Sequence, residues 1–216
     1  MFGKNLILKP ENHEGDVLSV VNIFKTFQGE GPFCGEAAIF IRLGGCNLQC
    51  NFCDTEFDHF KKMTLTQIIE EIKSQIANDH IKLIVITGGE PLRQPIEKLC
   101  FLLEELKFKV QIETNGTIIR KLPKKTYIVC SPKISNGQYY IKENLLKFAD
   151  CFKFLLSVEG DYNFVPKLNI DKPIYVQPID CYDQEKNLLN QKLTMEIALK
   201  NGYIYSMQQH KILNIE

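Results

Sequence analysis

Cys46, Cys50 and Cys53 fall within eight residues of one another, in the run Gly44-Gly45-Cys46-Asn47-Leu48-Gln49-Cys50-Asn51-Phe52-Cys53-Asp54-Thr55. Three thiolates at this spacing can wrap one corner of an iron–sulfur cube, whose fourth iron then has no cysteine from the motif. An iron without a protein ligand is an open coordination site, by the logic that separates catalytic from structural zinc. The competing chemistry is a zinc ion, with Cys34 or His59 closing the tetrahedron, although zinc ligands usually come as two C-x2-C pairs. Cys34, Cys100, Cys130, Cys151 and Cys181 read as small buried hydrophobes.

Polar clusters close three other apolar runs. Ile84-Val85-Ile86-Thr87 leads into Gly88-Gly89-Glu90-Pro91, where glycine allows close backbone approach to a ligand and a carboxylate can accept from an ammonium group. A tight turn would explain the same residues without a ligand. Glu113-Thr114-Asn115-Gly116 and Ser131-Pro132-Lys133 follow the same pattern, with a turn and a solvated lysine as their plainer explanations.

Something must bring these clusters together. Short runs rich in Ile, Val and Phe alternate with segments at helical spacing, which points to an α/β fold. Strands are predicted at 17–24, 37–43, 83–87, 109–113, 127–130, 153–156 and 174–176. A helix is predicted over 64–77, with Leu65, Ile68, Ile69, Ile72 and Ile76 on one face and Thr64 with Gln67 as a capping box. Others are predicted over 94–107 and 194–201, with loops at 133–140 and 180–192. A full (β/α)8 barrel takes about 250 residues. With 216 residues and few helices, the expectation is one domain over 1–216: a partial, incomplete TIM-like barrel with a reduced helix complement. Its functional rim would lie at the carboxyl ends of the strands, where all four clusters sit.

Composition narrows the partners. Twenty-six Lys and Arg balance 26 Asp and Glu, so no basic excess argues for nucleic acid, and a small substrate fits better. No apolar run approaches the roughly 20 residues of a membrane span and no signal peptide opens the chain, so the expectation is a cytoplasmic enzyme with reduced thiols.

The cysteine run resembles the C-x3-C-x2-C signature of the radical S-adenosylmethionine (SAM) superfamily. That resemblance implies that the amino and carboxylate groups of SAM chelate the open iron of a [4Fe–4S] cluster. One electron then cleaves SAM to methionine and a 5′-deoxyadenosyl radical. Around the cysteines the match is closer. The segment from Phe24 to Thr55, with Gln28-Gly29-Glu30-Gly31 before the cysteines and Cys53-Asp54-Thr55 at their end, resembles the 7-carboxy-7-deazaguanine synthase family. The likeness continues through 88–91, 113–117, 131–133, Val176-Gln177-Pro178 and Gln208-Gln209-His210-Lys211, and so covers nearly the whole chain.

The resemblance implies conversion of 6-carboxy-5,6,7,8-tetrahydropterin to 7-carboxy-7-deazaguanine with loss of ammonia, in queuosine and deazapurine biosynthesis. Hydrogen would be taken from C6 and returned after ring contraction, so that SAM is regenerated, and no protein acid or base is assigned. Phe27, Gln28, Gly29, Arg42 and Thr87 fall where the family holds the pterin, and Arg42 suits a bidentate grip on its carboxylate. The plainer readings are an ion pair of Arg42 with Glu30 or Glu36, and a core position for Phe27. Phe52, Cys53, Asp54, Gly89, Glu90, Thr114, Asn115, Ser131, Pro132, Lys133 and Gln177 match SAM contacts. Thr55 matches a Mg2+ ligand, or else caps a turn after Asp54. A homodimer and an external electron donor such as flavodoxin or ferredoxin are also implied. The alternatives are a glycyl-radical enzyme activase and a non-catalytic zinc-binding interaction module. The tail at Glu216 lacks the proline of some family members, which leaves a terminal carboxylate contact to substrate in question.

Overall fold

Branched and aromatic residues in the short apolar runs suit a pleated, buried surface, and in the computed structural model, which describes residues 5–215, they form one nine-stranded sheet. The position of Glu216 lies outside the described residues. In chain order the elements are β1 (Val17–Phe27), β2 (Ala37–Leu43), β3 (Lys61–Thr64), α1 (Leu65–Ile76), β4 (Leu83–Gly88), α2 (Glu97–Glu105), β5 (Lys109–Thr114), β6 (Tyr127–Cys130), β7 (Ile134–Ser135), β8 (Gln138–Tyr139), α3 (Glu143–Phe148), β9 (Cys151–Leu156), β10 (Ile174–Pro178), α4 (Gln184–Asn201), β11 (Ile204–Tyr205) and α5 (Gln209–Leu213). The sheet runs β11-β10-β9-β6-β5-β4-β2-β1-β3. Every pair from β2 to β11 is parallel, and β1 is antiparallel to both β2 and β3. A parallel sheet with open edges at β3 and β11 is the partial barrel expected.

Parallel strands are buried on both faces, so they read as continuous apolar runs. Ile84, Val85 and Ile86 of β4 are wholly inaccessible, as are Ile39 and Ile41 of β2. Outside the sheet, α1 forms as expected. Thr64 accepts from the Gln67 backbone while the Gln67 side chain returns a bond to the Thr64 N–H, and Ile68 and Ile72 are fully buried. Each such isoleucine contributes about 1.5–3 kcal/mol by leaving water.

Several elements depart from the sequence expectation. The predicted loop at 180–192 is mostly helix, because Asp183 caps α4 by accepting from Lys186 N at 3.1 Å. Its inner face carries Asn190, Thr194 and Ala198 instead of an apolar stripe. Asn190 docks through hydrogen bonds, donating to Ile179 O and accepting from Val158 N, both at 2.8 Å. The predicted loop at 133–140 contains the β7–β8 hairpin, whose Asn136-Gly137 turn has φ of 52° and 73°, the left-handed pair that such a tight hairpin requires. The helix predicted from Gln94 begins at Glu97. Gln94 is instead spent inside, accepting from Ser19 N at 2.7 Å and donating to Ser19 O and Gly44 O. The short elements β3, α3, β11 and α5 carry too little periodicity to be seen in sequence.

Candidate active site

The parallel register sets the site. Residues 44–55 follow β2, 89–91 follow β4, 115–117 follow β5 and 131–133 follow β6, so all four clusters leave the sheet at its carboxyl end. Arg42 and Thr87 are direct neighbours across β2 and β4. Together they border a cavity of about 570 Å3 whose walls draw on β1, β2, β4, β5, β9 and β10, the cysteine loop and α5. That volume suits a small organic ligand.

The cysteine loop is anchored from behind by the start of the chain. Leu8 N donates to Cys46 O at 2.7 Å, and Gln49 donates from its side chain to Asn5 O at 3.0 Å. Gly45 N donates to Phe57 O, and Glu90 N to Gly45 O. The buried Arg93 guanidinium joins these pieces, donating to Lys9 O, to the Glu11 carboxylate at 2.9 Å and to Gly44 O at 3.0 Å.

All three cysteines border the cavity. Burial pushes the Cys46 thiol up to about 11 and raises Cys50 and Cys53 as well. Thiols so placed are poor nucleophiles but good ligands, since a bound cation removes the proton outright. The donor set, three inward thiols on one loop, fits an iron–sulfur cluster. For zinc the proposed fourth ligands are badly placed: Cys34 is exposed, and the His59 side chain is 90 % exposed beside Glu56. Among the described residues no three His, Cys, Asp or Glu are arranged to hold a single metal ion.

Phe27, Gln28, Gly29, Arg42, Phe52, Asp54, Thr55, Thr87, Gly89, Thr114, Asn115, Ser131, Lys133 and Gln177 border the same cavity. Two expected residues do not. Pro132 is off the wall, and Glu90 is wholly buried. The Glu90 carboxyl is captured by its own chain, accepting from Leu92 N at 3.0 Å, Thr114 Oγ1 at 2.7 Å and Asn115 N at 2.7 Å. Burial raises it to about 7, with those three donors opposing the rise. Glu90 therefore ties the turn after β4 to the end of β5 and reaches the cavity only through Gly89, Thr114 and Asn115.

Gly89 is pressed against the cysteine loop. A Cβ there would lie 2.4 Å from Gly45 O and 2.7 Å from Cys46 Cβ. Gly89→Ala is expected to lower the iron retained per chain after reconstitution severalfold, measured by colorimetric iron assay, while far-ultraviolet circular dichroism stays as in the parent.

Of the plainer readings, the core position of Phe27 fails, and the two carboxylates considered for Arg42 each have a lysine partner. Glu30 pairs with Lys153 and Glu36 with Lys109, while the Arg42 guanidinium stacks 5.2 Å from the Phe24 ring. Phe27 is 51 % exposed and faces the cavity. Thr55 does donate to Asp54 Oδ1, at 3.4 Å. Gly29 lies under His210, whose Nδ1 would meet a Cβ at 2.7 Å.

Sequence reasoning missed the charged floor of the cavity. Lys153 Nζ sits 2.6 Å from Glu30 Oε2 and 3.0 Å from Glu113 Oε2, with all three side chains largely buried. Burial alone would raise Glu30, but the Lys153 ammonium overrides it and holds the carboxyl down to about 2. Burial would likewise lower Lys153, and Glu113 and Glu30 hold it above the ordinary lysine range. The signal was a lone lysine inside the apolar run Cys151-Phe152-Lys153-Phe154-Leu155-Leu156, a position a charge occupies only when paired. His210 and Lys211 of α5 also border the cavity.

Comparison with known proteins decides the lineage. The Radical SAM superfamily pattern matches residues 40–173. A 7-carboxy-7-deazaguanine synthase of Rickettsia prowazekii is 47 % identical, over all of this chain and 96 % of the relative. One from Escherichia coli is 33 % identical over 89 % of this chain and 96 % of the relative. The crystal structure of QueE from Escherichia coli superposes with a TM-score of 0.74 at 27 % identity, covering 89 % of this chain and 94 % of that one. The chain belongs to the 7-carboxy-7-deazaguanine synthase family of radical SAM enzymes. Membership carries the [4Fe–4S] cluster and SAM with it, for which the cysteine loop and the cavity are suited. It also makes the chain an enzyme acting on a small molecule. The activase and the zinc module of the sequence analysis find no support among these relatives.

Proposed function

We propose that the chain contracts 6-carboxy-5,6,7,8-tetrahydropterin to 7-carboxy-7-deazaguanine with release of one ammonia. The observation that carries this reading is a single cavity joining the three-cysteine loop to Arg42, Gln28 and Thr87, in a chain similar over its full length to synthases of that product. When bound, the cluster and SAM supply one-electron chemistry and a hydrogen-atom abstractor. The residues of the chain bind, orient and exclude water.

In this reading Cys46, Cys50 and Cys53 hold the cluster. Phe52, Asp54, Gly89, Thr114, Asn115, Ser131, Lys133 and Gln177 surround SAM. Lys133, half-buried and donating to Ser131 O and Oγ at 2.7 Å each, is suited to stiffen that wall. The Arg42 fork grips the substrate carboxylate, with the Gln28 amide and the Gly29 backbone on the pterin edge and Phe27 against its face. Thr55 offers its hydroxyl to Mg2+, whose remaining ligands would be water and substrate, as is common for this ion.

Residues 1–216 act as one radical SAM domain, supported by the unbroken sheet. The enzyme works in the cytoplasm with flavodoxin or ferredoxin as electron donor. It pairs as a homodimer, for which Leu188, Leu189, Met195 and Leu199 offer an exposed apolar surface on α4.

The test is anaerobic incubation of reconstituted protein with dithionite, SAM, Mg2+ and the carboxytetrahydropterin, with the deazaguanine identified by mass. An intact cluster without product defeats the substrate assignment. Arg42→Lys keeps the charge and removes the fork. It is expected to raise KM for the pterin roughly 10- to 100-fold, the loss of one charge-assisted hydrogen bond of about 1.5–3 kcal/mol.

A further inference from the structure

We propose that Lys211 is a positioning residue that latches α5 across the cavity mouth and keeps solvent out of the hydrogen-transfer step. The proposal rests on the radical SAM reading above. Lys211 Nζ lies 2.9 Å from Asp54 Oδ2 and 2.9 Å from Asp180 Oδ2. Asp54 immediately follows Cys53 on the cysteine loop, and Asp180 lies just past the end of β10. One ammonium group therefore joins three segments that border the cavity on different sides.

The tie falls on a helix, α5, with little hold of its own. It has five residues and buries none of them fully, and so short a helix has no stability of its own. Its other ties are polar. Gln209 N donates to Gly29 O at 3.0 Å, and the Gln208 amide donates to Glu30 Oε1 at 3.0 Å and Asp54 Oδ2 at 3.2 Å. Without the Lys211 charge, Asp54 and Asp180 lose the cation they share and face each other as like charges across the mouth. Removing Lys211 thus turns an attraction between the two lips into a repulsion. Both pairs are partly exposed, so the latch can open for substrate entry and product release.

A closed mouth matters to a reaction that returns its hydrogen. When substrate is the only hydrogen donor within reach, the nucleoside regains SAM at the end of the cycle. When a C–H or S–H donor from the buffer supplies a hydrogen atom, 5′-deoxyadenosine and methionine leave instead and the electron that cleaved SAM is not returned; when dithionite and a solvent proton supply it, a second electron is consumed as well. The nucleoside released per deazaguanine formed therefore reports how well the cavity is sealed.

The experiment compares wild type with Lys211→Met, Lys211→Arg and Asp180→Asn. In the protein as purified, without substrate, amide hydrogen exchange over residues 206–215 is expected to quicken about tenfold in Lys211→Met, as the loss of two partly buried ion pairs would give. In turnover, that variant should release severalfold more 5′-deoxyadenosine per product and show a higher KM for the pterin, with iron content unchanged. Lys211→Arg should restore both readings, and Asp180→Asn should fall between. Wild-type exchange in Lys211→Met overturns the latch. So does faster exchange with an unchanged nucleoside-to-product ratio, or activity lost in proportion to iron. If wild type forms no deazaguanine, the substrate reading fails. The latch is then judged by exchange and by the 5′-deoxyadenosine formed from SAM alone: a rise of both in Lys211→Met upholds it, and no rise in either overturns it.

Discussion

Cys50→Ala is expected to abolish SAM cleavage, together with the broad iron–sulfur absorption of the reconstituted protein. Disturbing groups that merely support a metal ligand costs about 10- to 100-fold in affinity or activity, so loss of a ligand itself should exceed that range. No nearby thiol can substitute. Cys100, Cys130 and Cys151 are buried in the core, Cys34 is exposed elsewhere, and Cys181 lies off the cavity wall, accepting from Asn190 Nδ2. The measurement is anaerobic reconstitution followed by iron and sulfide analysis, the visible spectrum, and chromatographic assay of 5′-deoxyadenosine with dithionite and SAM. A variant that keeps both the chromophore and SAM cleavage would remove Cys50 from the ligand set. Cys100→Ala serves as control and should keep the cluster, because its Sγ lies among apolar side chains beneath α2.

Lys153→Met carries the second large effect, on stability. It strips the shared cation from two carboxylates held 2.6 and 3.0 Å from it. Breaking a buried ionic network on one side costs about 3–5 kcal/mol. At about 2–4 °C per kcal/mol for a chain of this size, the melting temperature should fall by roughly 6–20 °C. Adding Glu30→Gln and Glu113→Gln should recover most of that loss, since no unpaired charge is then left inside.

The pH dependence separates the two proteins by sign. Wild-type Glu30 is held down to about 2 against an ordinary 4.5, so it stabilises the fold fully above pH 4.5. That contribution is lost as pH falls from about 5 to about 2. Lys153 is raised, so its part is present at every pH below its ordinary value of 10.5 and is lost only in strong alkali. In Lys153→Met, burial acts on Glu30 against only His210 and the amides of Gln177 and Gln208, and lifts it above the ordinary value. The folded variant then takes up protons more readily than the unfolded chain, and stability rises as pH falls from neutrality. Urea denaturation at several pH values should show wild type weakening below pH 5 while the variant strengthens.

The residues that announced themselves in the sequence are those whose chemistry is local. Cys46, Cys50 and Cys53 share one loop, and Gly88-Gly89 must be glycines because Leu43 of β2 crowds the first and the cysteine loop the second. The sheet was legible because strands buried on both faces leave unbroken apolar runs such as Leu83–Gly88. What escaped depends on partners far apart in the chain. Glu30, Glu113 and Lys153 come from three separate stretches, and only folding reveals that they share a proton balance. The partners of Glu90 escaped for the same reason, since Thr114 and Asn115 reach its carboxyl only from the neighbouring strand. In α4 the missing signal was physical: a helix docked through Asn190 and Thr194 has no apolar stripe to read.

The cysteine loop is braced from behind by residues 5–11 and roofed by residues 206–215. The brace is made before the cysteines, whereas the roof follows Cys53 by more than 150 residues. At about 5–20 residues per second, synthesis leaves the half-built site uncovered for roughly 8–30 s. The three thiols are thus exposed on the growing chain before the segment that covers them exists, and in the finished protein they line a cavity that α5 borders.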